Sequence, residues 1–370
     1  MSQTSPRAAI EAGRADEHRR WETVKDLIDQ NIDLMLNFRQ SGHPGGSRSK
    51  VHVLVATLLG GHMRWDLRHP EKRFADRFIL VAGHTAPLIY GTLPVFHEAL
   101  RIKHRRTGDP RYAVPDAARR ALYPEDLITF RRHGGLPGHA EMEGKTLFFK
   151  FNTGPSGHGS PPAAGQAMAL KRAGAGEVRV FAFEGEGGLT AGASHETKNS
   201  AWGLGLDNLV YVIDWNDFGI DDHAVSSVVH GTPRDWFEPY GWRVVEAGDG
   251  SDWTRVDAAL TELLRGENPA RVPGMVYVRT RKGRGYLKYD HASHGSPHAP
   301  PNSETFWRPS GPSPRPTGWT SRASASRRRP TRRSSAGRPS PTSPRWPRCC
   351  SGKTGWSTTW PRPSSGSATR

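Results

Sequence analysis

The stretch VRVFAFEGEGGLTAGASHETKNSAWGLGLDNLVYVIDWND (178–217) decides the fold. It opens on a short, nearly continuous apolar run, Val178 to Glu184, that breaks at Gly185-Glu186-Gly187-Gly188. A second run, Leu209 to Asp214, breaks at Trp215-Asn216-Asp217. A run apolar at almost every position is a strand covered on both faces, which in soluble proteins means a parallel sheet with crossover helices. Working outward, Gly274 to Thr280 (GMVYVRT) is a third such strand, ending in Arg281-Lys282-Gly283-Arg284-Gly285. Upstream, Phe78 to Val81 is a fourth, closed by Ala82-Gly83-His84, and Thr146 to Phe151 is a further apolar run closed by 152–159. Helices fill the intervals. Trp21, Val24, Leu27, Ile28, Ile32, Met35 and Phe38 recur at three- and four-residue steps, which predicts an amphipathic helix over about 21–40. It stops at the breaker run SGHPGG (41–46). Val51 to Gly60 and Pro161 to Ala173 read as two more helices, and 101–124 as a basic, proline-bearing connection. The fold class is therefore α/β, a three-layer parallel sheet with helices on both faces, and no internal repeat is visible. Ligands of such sheets bind at the carboxyl ends of the strands.

The formal charge of +16 belongs to one end of the chain. Residues 308–370 carry 14 Lys/Arg and no acid, whereas the 307 residues before them carry 38 basic and 36 acidic side chains. With a body so nearly neutral, a nucleic-acid partner is not expected. After Phe306 there is no Leu, Ile, Val, Met, Phe or Tyr, so 308–370 is expected to be a disordered Arg/Pro/Ser-rich tail. Both cysteines, Cys349 and Cys350, lie there, and the body has neither a disulfide framework nor a cysteine metal site. Residues 1–20 read as a polar extension without a signal core, and no 18-residue apolar run follows. No membrane partner is expected, and the expected location is cytoplasmic.

The chemistry gathers at the strand ends. Glu186 and Asn216 place a carboxylate and a carboxamide at the ends of consecutive strands. Both are hard oxygen donors suited to magnesium, which keeps phosphate oxygens and water in its shell. The flanking glycines allow close approach of a diphosphate. Taken alone, the glycine-flanked acid reads first as a tight strand–helix turn with an exposed Glu, a routine feature of such sheets. Four glycine–histidine pairs, Gly42-His43, Gly83-His84, Gly138-His139 and Gly157-His158, also fall at element ends. A single such histidine is an ordinary loop residue, but a set of them could hydrogen-bond a polyhydroxylated carbonyl compound and move protons near neutral pH.

SGHPGG (41–46), HMRWDLRHPEKRFADRFILVAGHTAP (62–87), LPGHAE (136–141), TGPSGHG (153–159), GEG with the segment 196–217, and SHGSP (293–297) occur in one order. This set resembles the N-terminal, thiamine-diphosphate-binding domain of the transketolase family, over about residues 20–307. The resemblance implies thiamine diphosphate and a divalent cation, Mg2+ or in its place Ca2+ or Mn2+, as cofactors. It implies Glu186, Asn216 and the main-chain carbonyl of Phe218 as metal ligands. His84, Gly138, Gly154, Pro155, Ser156, Gly157, Gly185, Glu186, Gly187 and Asn216 would take the cofactor. His43, His139 and His294 would act on the substrate, a sugar phosphate whose two-carbon ketol unit is transferred to an acceptor. The domain division that follows is 1–20, 21–307 and 308–370.

Three positions depart from the family pattern. Glu186 stands in place of Asp, Ala191 in place of a Glu that meets the partner subunit (although Glu196 matches the next acid), and His158 in place of Gln. His158 with HGSP (294–297) leans toward phosphoketolase or the homodimeric first component of pyruvate dehydrogenase. The family pattern then continues into a pyrimidine-binding domain, while the match here stops near Trp307. Two explanations stand. The pyrimidine-binding half resides on a second polypeptide, in a homo- or hetero-oligomer, or the tail is an out-of-frame reading, which its composition favours. A non-catalytic fragment or interaction module of the same fold is the alternative function.

Overall fold

The structure is a computed structural model that describes residues 6–219 and 223–285. Its helices, in chain order, are α1 (Pro6–Arg39), α2 (Pro44–Ser49), α3 (Val51–Leu59), α4 (Pro87–Thr107), α5 (Ala117–Arg120), α6 (Ser160–Arg172), α7 (Glu186–Leu189), α8 (Gly192–Gly203), α9 (Pro233–Phe237) and α10 (Trp253–Arg265). The strands are β1 (Arg77–Leu80), β2 (Val180–Gly185), β3 (Leu209–Trp215), β4 (Arg243–Asp249) and β5 (Gly274–Arg279). They form one sheet in the order β1-β2-β3-β5-β4, with every pairing parallel.

Alternation along the strands sends successive side chains to opposite faces. Phe78 and Leu80 of β1, Phe181 and Phe183 of β2, and Val210 and Val212 of β3 share a core with Ile28, Ile32 and Met35 of α1 and Leu54 of α3. Ile79, Ala182, Tyr211 and Ile213 face the other way, onto Ala163 and Ala167 of α6 and Ala201 of α8. The small side chains of α6 let that helix lie close on the sheet. These two cores make the three layers expected from the sequence, and the near-continuous apolar reading of β2 and β3 follows from their burial on both faces.

Several local expectations need correction. The first helix begins at Pro6, not near 21, so the described part of the polar extension is helical. Arg14 ties it to Asp257 on α10 at 3.4 Å, and Trp21 meets Trp253 edge-on at 5.7 Å. Phe38, placed on the apolar face by its spacing, is exposed, with the Arg132 guanidinium over its ring at 5.1 Å. The SGHPGG run ends α1 but also starts α2, with Pro44 at the first turn, where a missing N–H costs nothing. The run 146–151 forms no strand of the sheet. Phe149 makes one isolated bridge to Phe78, and the ring of Phe148 packs on Phe78 at 4.9 Å. Residues 101–107 of the basic connection belong to α4. The tail from 308 and His294 lie outside the described residues.

His52 on α3 is buried against the Trp253 ring at 4.4 Å. Burial, aided by the nearby charges of Arg284 and Lys25, holds its imidazole well below the ordinary value of 6.5. Below about pH 6.5 the unfolded chain binds a proton there that the folded chain does not, so stability falls as pH falls. Urea unfolding between pH 7 and 5 should show a loss of up to about 1.4 kcal/mol per pH unit from this site. His52→Gln should flatten that slope; an unchanged slope would rule His52 out as its source.

Candidate functional site

The carboxyl ends of β1, β2, β3 and β5 open into one cavity of about 680 Å³. Three loops build its floor. After β1, Ala82 and His84 line it; after β2, the Gly185–Gly188 segment; after β3, Asn216, Phe218 and Gly219. A fourth wall comes from Gly154, Pro155 and Ser156, with His139 beside them. The loops are held together by close backbone approach. A Cβ on Gly83 would stand 2.5 Å from the Thr153 backbone. Gly157, at φ 79°, is left-handed, and a Cβ there would stand 2.5 Å from the Gly188 carbonyl oxygen. Any other residue at 157 would force apart the two glycine loops.

Four buried charged side chains sit beneath these loops. Glu186 is 1% exposed, and its Oε2 accepts the Asn216 N–H at 3.1 Å. Burial, and then the adjacent Asp214 charge, push its carboxyl far above the usual range. Asn216 donates from Nδ2 to Asp214 Oδ2 at 2.8 Å and accepts the Phe218 N–H on Oδ1 at 3.1 Å. Asp214 also receives Ser49 Oγ at 2.5 Å, Thr280 Oγ1, and Lys50 Nζ at 3.1 Å. Glu184 accepts the Gly157 N–H on one oxygen and its neighbour Gly185's N–H on the other, both at 2.8 Å. Burial raises its carboxyl to about 7, against the pull of those two amides and of Lys50.

This arrangement fits a divalent cation and a diphosphate. The Glu186 carboxyl is buried and accepts the Asn216 N–H, the oxygen of Asn216 keeps a second lone pair, and both residues line the cavity with Phe218. A cation there would relieve the unfavourable burial of Glu186. Among the described residues no group of three or more His, Cys, Asp and Glu forms a self-sufficient metal cage.

Of the residues singled out in the sequence, His84, His139, Gly154, Pro155, Ser156, Gly185, Glu186, Gly187, Asn216 and Phe218 line the cavity together. His43 stands beside it, its ring edge-on to that of His84 at 5.3 Å and its Nε2 3.4 Å from Arg131 Nη2. Gly138 packs on the Arg131 side chain, and Gly157 lies one layer behind the wall. The fourth glycine–histidine pair does not join the others. His158 is exposed, with Nδ1 against the Ser156 carbonyl at 3.2 Å, and is not among the lining residues. Lys50, Glu184 and Lys282 line the cavity and were not anticipated. An acid ending a strand otherwise apolar on both faces was a usable signal for Glu184. Lys50, inside the polar SRSK run, offered none.

The profile of the family described as transketolase, thiamine diphosphate binding domain, matches residues 121–315, more than half of the chain. The chain belongs to the transketolase family. Transketolase 2 of Vibrio vulnificus (strain CMCP6) is 31% identical over 269 residues, covering 70% of this chain and 36% of the relative. Transketolase 2 of Xanthobacter flavus is 34% identical over 274 residues, covering 70% and 35%. Among solved structures, transketolase from Campylobacter jejuni superposes with a TM-score of 0.61 at 27% identity, covering 75% of this chain and 40% of that one. A Pichia stipitis transketolase solved with sedoheptulose 7-phosphate gives 0.61 at 26%, covering 75% and 39%. This transketolase-family chain therefore spans little more than a third of the length of the curated relatives it matches. Among the described residues no helix is long and apolar enough to cross a membrane.

Proposed function

We propose that this chain is the diphosphate-binding half of a thiamine-diphosphate-dependent enzyme that moves a two-carbon ketol unit between sugar phosphates. The observation that carries the reading is the joint placement of Glu186, Asn216 and two glycine loops at the strand ends of one cavity. Glu186, Asn216 and the Phe218 carbonyl would hold Mg2+, with Ca2+ or Mn2+ able to replace it. The Gly154–Gly157 and Gly185–Gly187 segments would receive the diphosphate. When bound, thiamine diphosphate supplies a nucleophilic carbon that attacks a ketose at its carbonyl. The protein's own part is orientation and proton handling. His84 and His139 line the cavity and His43 stands edge-on to His84, so the three are proposed to donate to carbonyl and hydroxyl oxygens of a sugar phosphate. His294 is proposed to join them from the segment outside the described residues.

The pyrimidine-binding half is proposed to come from another polypeptide segment, in a homo- or hetero-oligomer. His158 is exposed and does not line the cavity, so the lean toward phosphoketolase or a pyruvate dehydrogenase component rests on HGSP (294–297), which lies outside the described residues. A thermal-shift titration of the whole chain tests the reading. Thiamine diphosphate with Mg2+ should raise the melting temperature in a saturable way, by about 2.7 kcal/mol of stabilisation at a hundredfold excess over Kd. Thiamine without its diphosphate should not. An unmoved melting temperature with the full cofactor would overturn it.

A further inference from the structure

Lys50 joins α2 to α3 and is only 2% exposed, yet it lines the cavity. An ammonium group carries three N–H donors. One reaches the Gly46 carbonyl at 3.3 Å and one Asp214 Oδ2 at 3.1 Å. The third has no acceptor among the described residues. The group lies directly under the loop proposed to take the diphosphate: a Cβ placed on Gly185 would stand 3.4 Å from Nζ.

A simple structural ion pair with Asp214 explains this poorly. Asp214 already receives Ser49, Thr280 and Asn216, so its oxygens are satisfied without the lysine. Burying a long, strongly hydrated cation for that purpose alone is close to neutral for stability at best. The local charge gives it another use. Glu184 and Glu186 line the cavity floor and Asp214 lies beneath it against Lys50 and Asn216; Lys282 is the other lysine on the lining, and an incoming diphosphate adds more negative charge than it offsets. One divalent ion between Glu186 and Asn216 leaves that balance negative.

We propose that Lys50 is a direct ligand of the diphosphate, a resident cation that donates its third N–H to a phosphate oxygen beside the metal. This rests on the reading of the cavity as a diphosphate site. It adds that part of the affinity for the anion comes from the chain itself and survives removal of the metal.

The test is calorimetric titration of the full chain with inorganic pyrophosphate and with thiamine diphosphate, each in Mg2+ and in EDTA. The wild-type chain should bind both ligands in Mg2+ and, more weakly, in EDTA. Lys50→Met should lose roughly tenfold or more of the EDTA binding, the worth of a charge-assisted hydrogen bond, while Lys50→Arg keeps it within a few-fold. Circular dichroism establishes that the variants fold. If Lys50→Met does not fold, the 15N signal of the Lys50 ammonium in the wild-type chain decides. It should shift when pyrophosphate is added in EDTA, and an unmoved signal overturns the proposal. Binding in Mg2+ with none in EDTA, or equal EDTA binding by wild type and Lys50→Met, overturns the role of Lys50 and leaves the diphosphate site standing. No binding even in Mg2+ overturns the site itself.

Discussion

Replacing Asn216 by leucine is expected to weaken magnesium-dependent binding of thiamine diphosphate by about 1.5–3 kcal/mol, roughly ten- to a hundredfold in Kd. The side chain is 7% exposed and leucine is close to its size, so the change removes oxygen and nitrogen without opening a large void. Two effects add. The proposed cation loses a neutral oxygen ligand that Glu186 alone cannot replace. The Phe218 N–H, which Asn216 Oδ1 accepts at 3.1 Å, is released, and with it the turn proposed to supply a third oxygen. Asp214 loses one donor but keeps Ser49, Thr280 and Lys50, so the floor of the cavity should persist. Asn216→Asp retains a hard oxygen and should lose much less. Calorimetry at saturating Mg2+ measures both variants. Undiminished affinity in the leucine variant would remove the metal assignment.

The second large effect concerns turnover. The isolated 370-residue chain is expected to bind thiamine diphosphate and to transfer no measurable ketol unit. Its described cavity gathers, at one edge of one sheet, the groups proposed to take a diphosphate, a cation and the hydroxyls of a sugar. The resemblance places the carboxylate that activates the aminopyrimidine on a separate domain, and this chain spans about 36% of the length of its Vibrio relative. A missing acid–base group by itself costs about 10²- to 10⁴-fold, and an open face leaves water at the reacting centre. An assay with xylulose 5-phosphate and an aldose acceptor, with and without added pyrimidine-binding polypeptide, measures this. Turnover by the chain alone would contradict the proposed division of labour.

How far the sequence reached can be read from particular elements. β2 and β3 were legible because both faces of a central strand are buried, leaving runs with almost no polar interruption. β4 was not. It is the edge strand beside β5, with Glu246 exposed and a register irregularity between Glu246 and Gly248, so its pattern reads as a loop. Helix α10 has a clear apolar face, Val256, Leu260, Leu263 and Leu264, and its Asp252 cap accepts the Thr254 and Arg255 N–H groups. Its periodicity and cap make that helix legible in the sequence.

The sequence by itself determined the layered parallel sheet, its family and the pairing of Glu186 with Asn216. Parallel strands end on one edge, so residues that close two of them become neighbours where those strands pair, as β2 and β3 do and the equally consecutive β3 and β4 do not. Only the tertiary structure decided the fate of the charges. Lys50 reads in one dimension as a solvated group on a helix junction, and Glu184, whose place at a doubly apolar strand's end marks it out, still does not show what encloses it. Their burial is set by partners far along the chain: Asp214, 164 residues from Lys50, and the Gly157 amide, 27 residues from Glu184. Whether a charge is hydrated or caged depends on which distant groups surround it, and no local pattern carries that information. The same holds for His158, whose glycine matches the other three pairs while its ring turns outward to solvent.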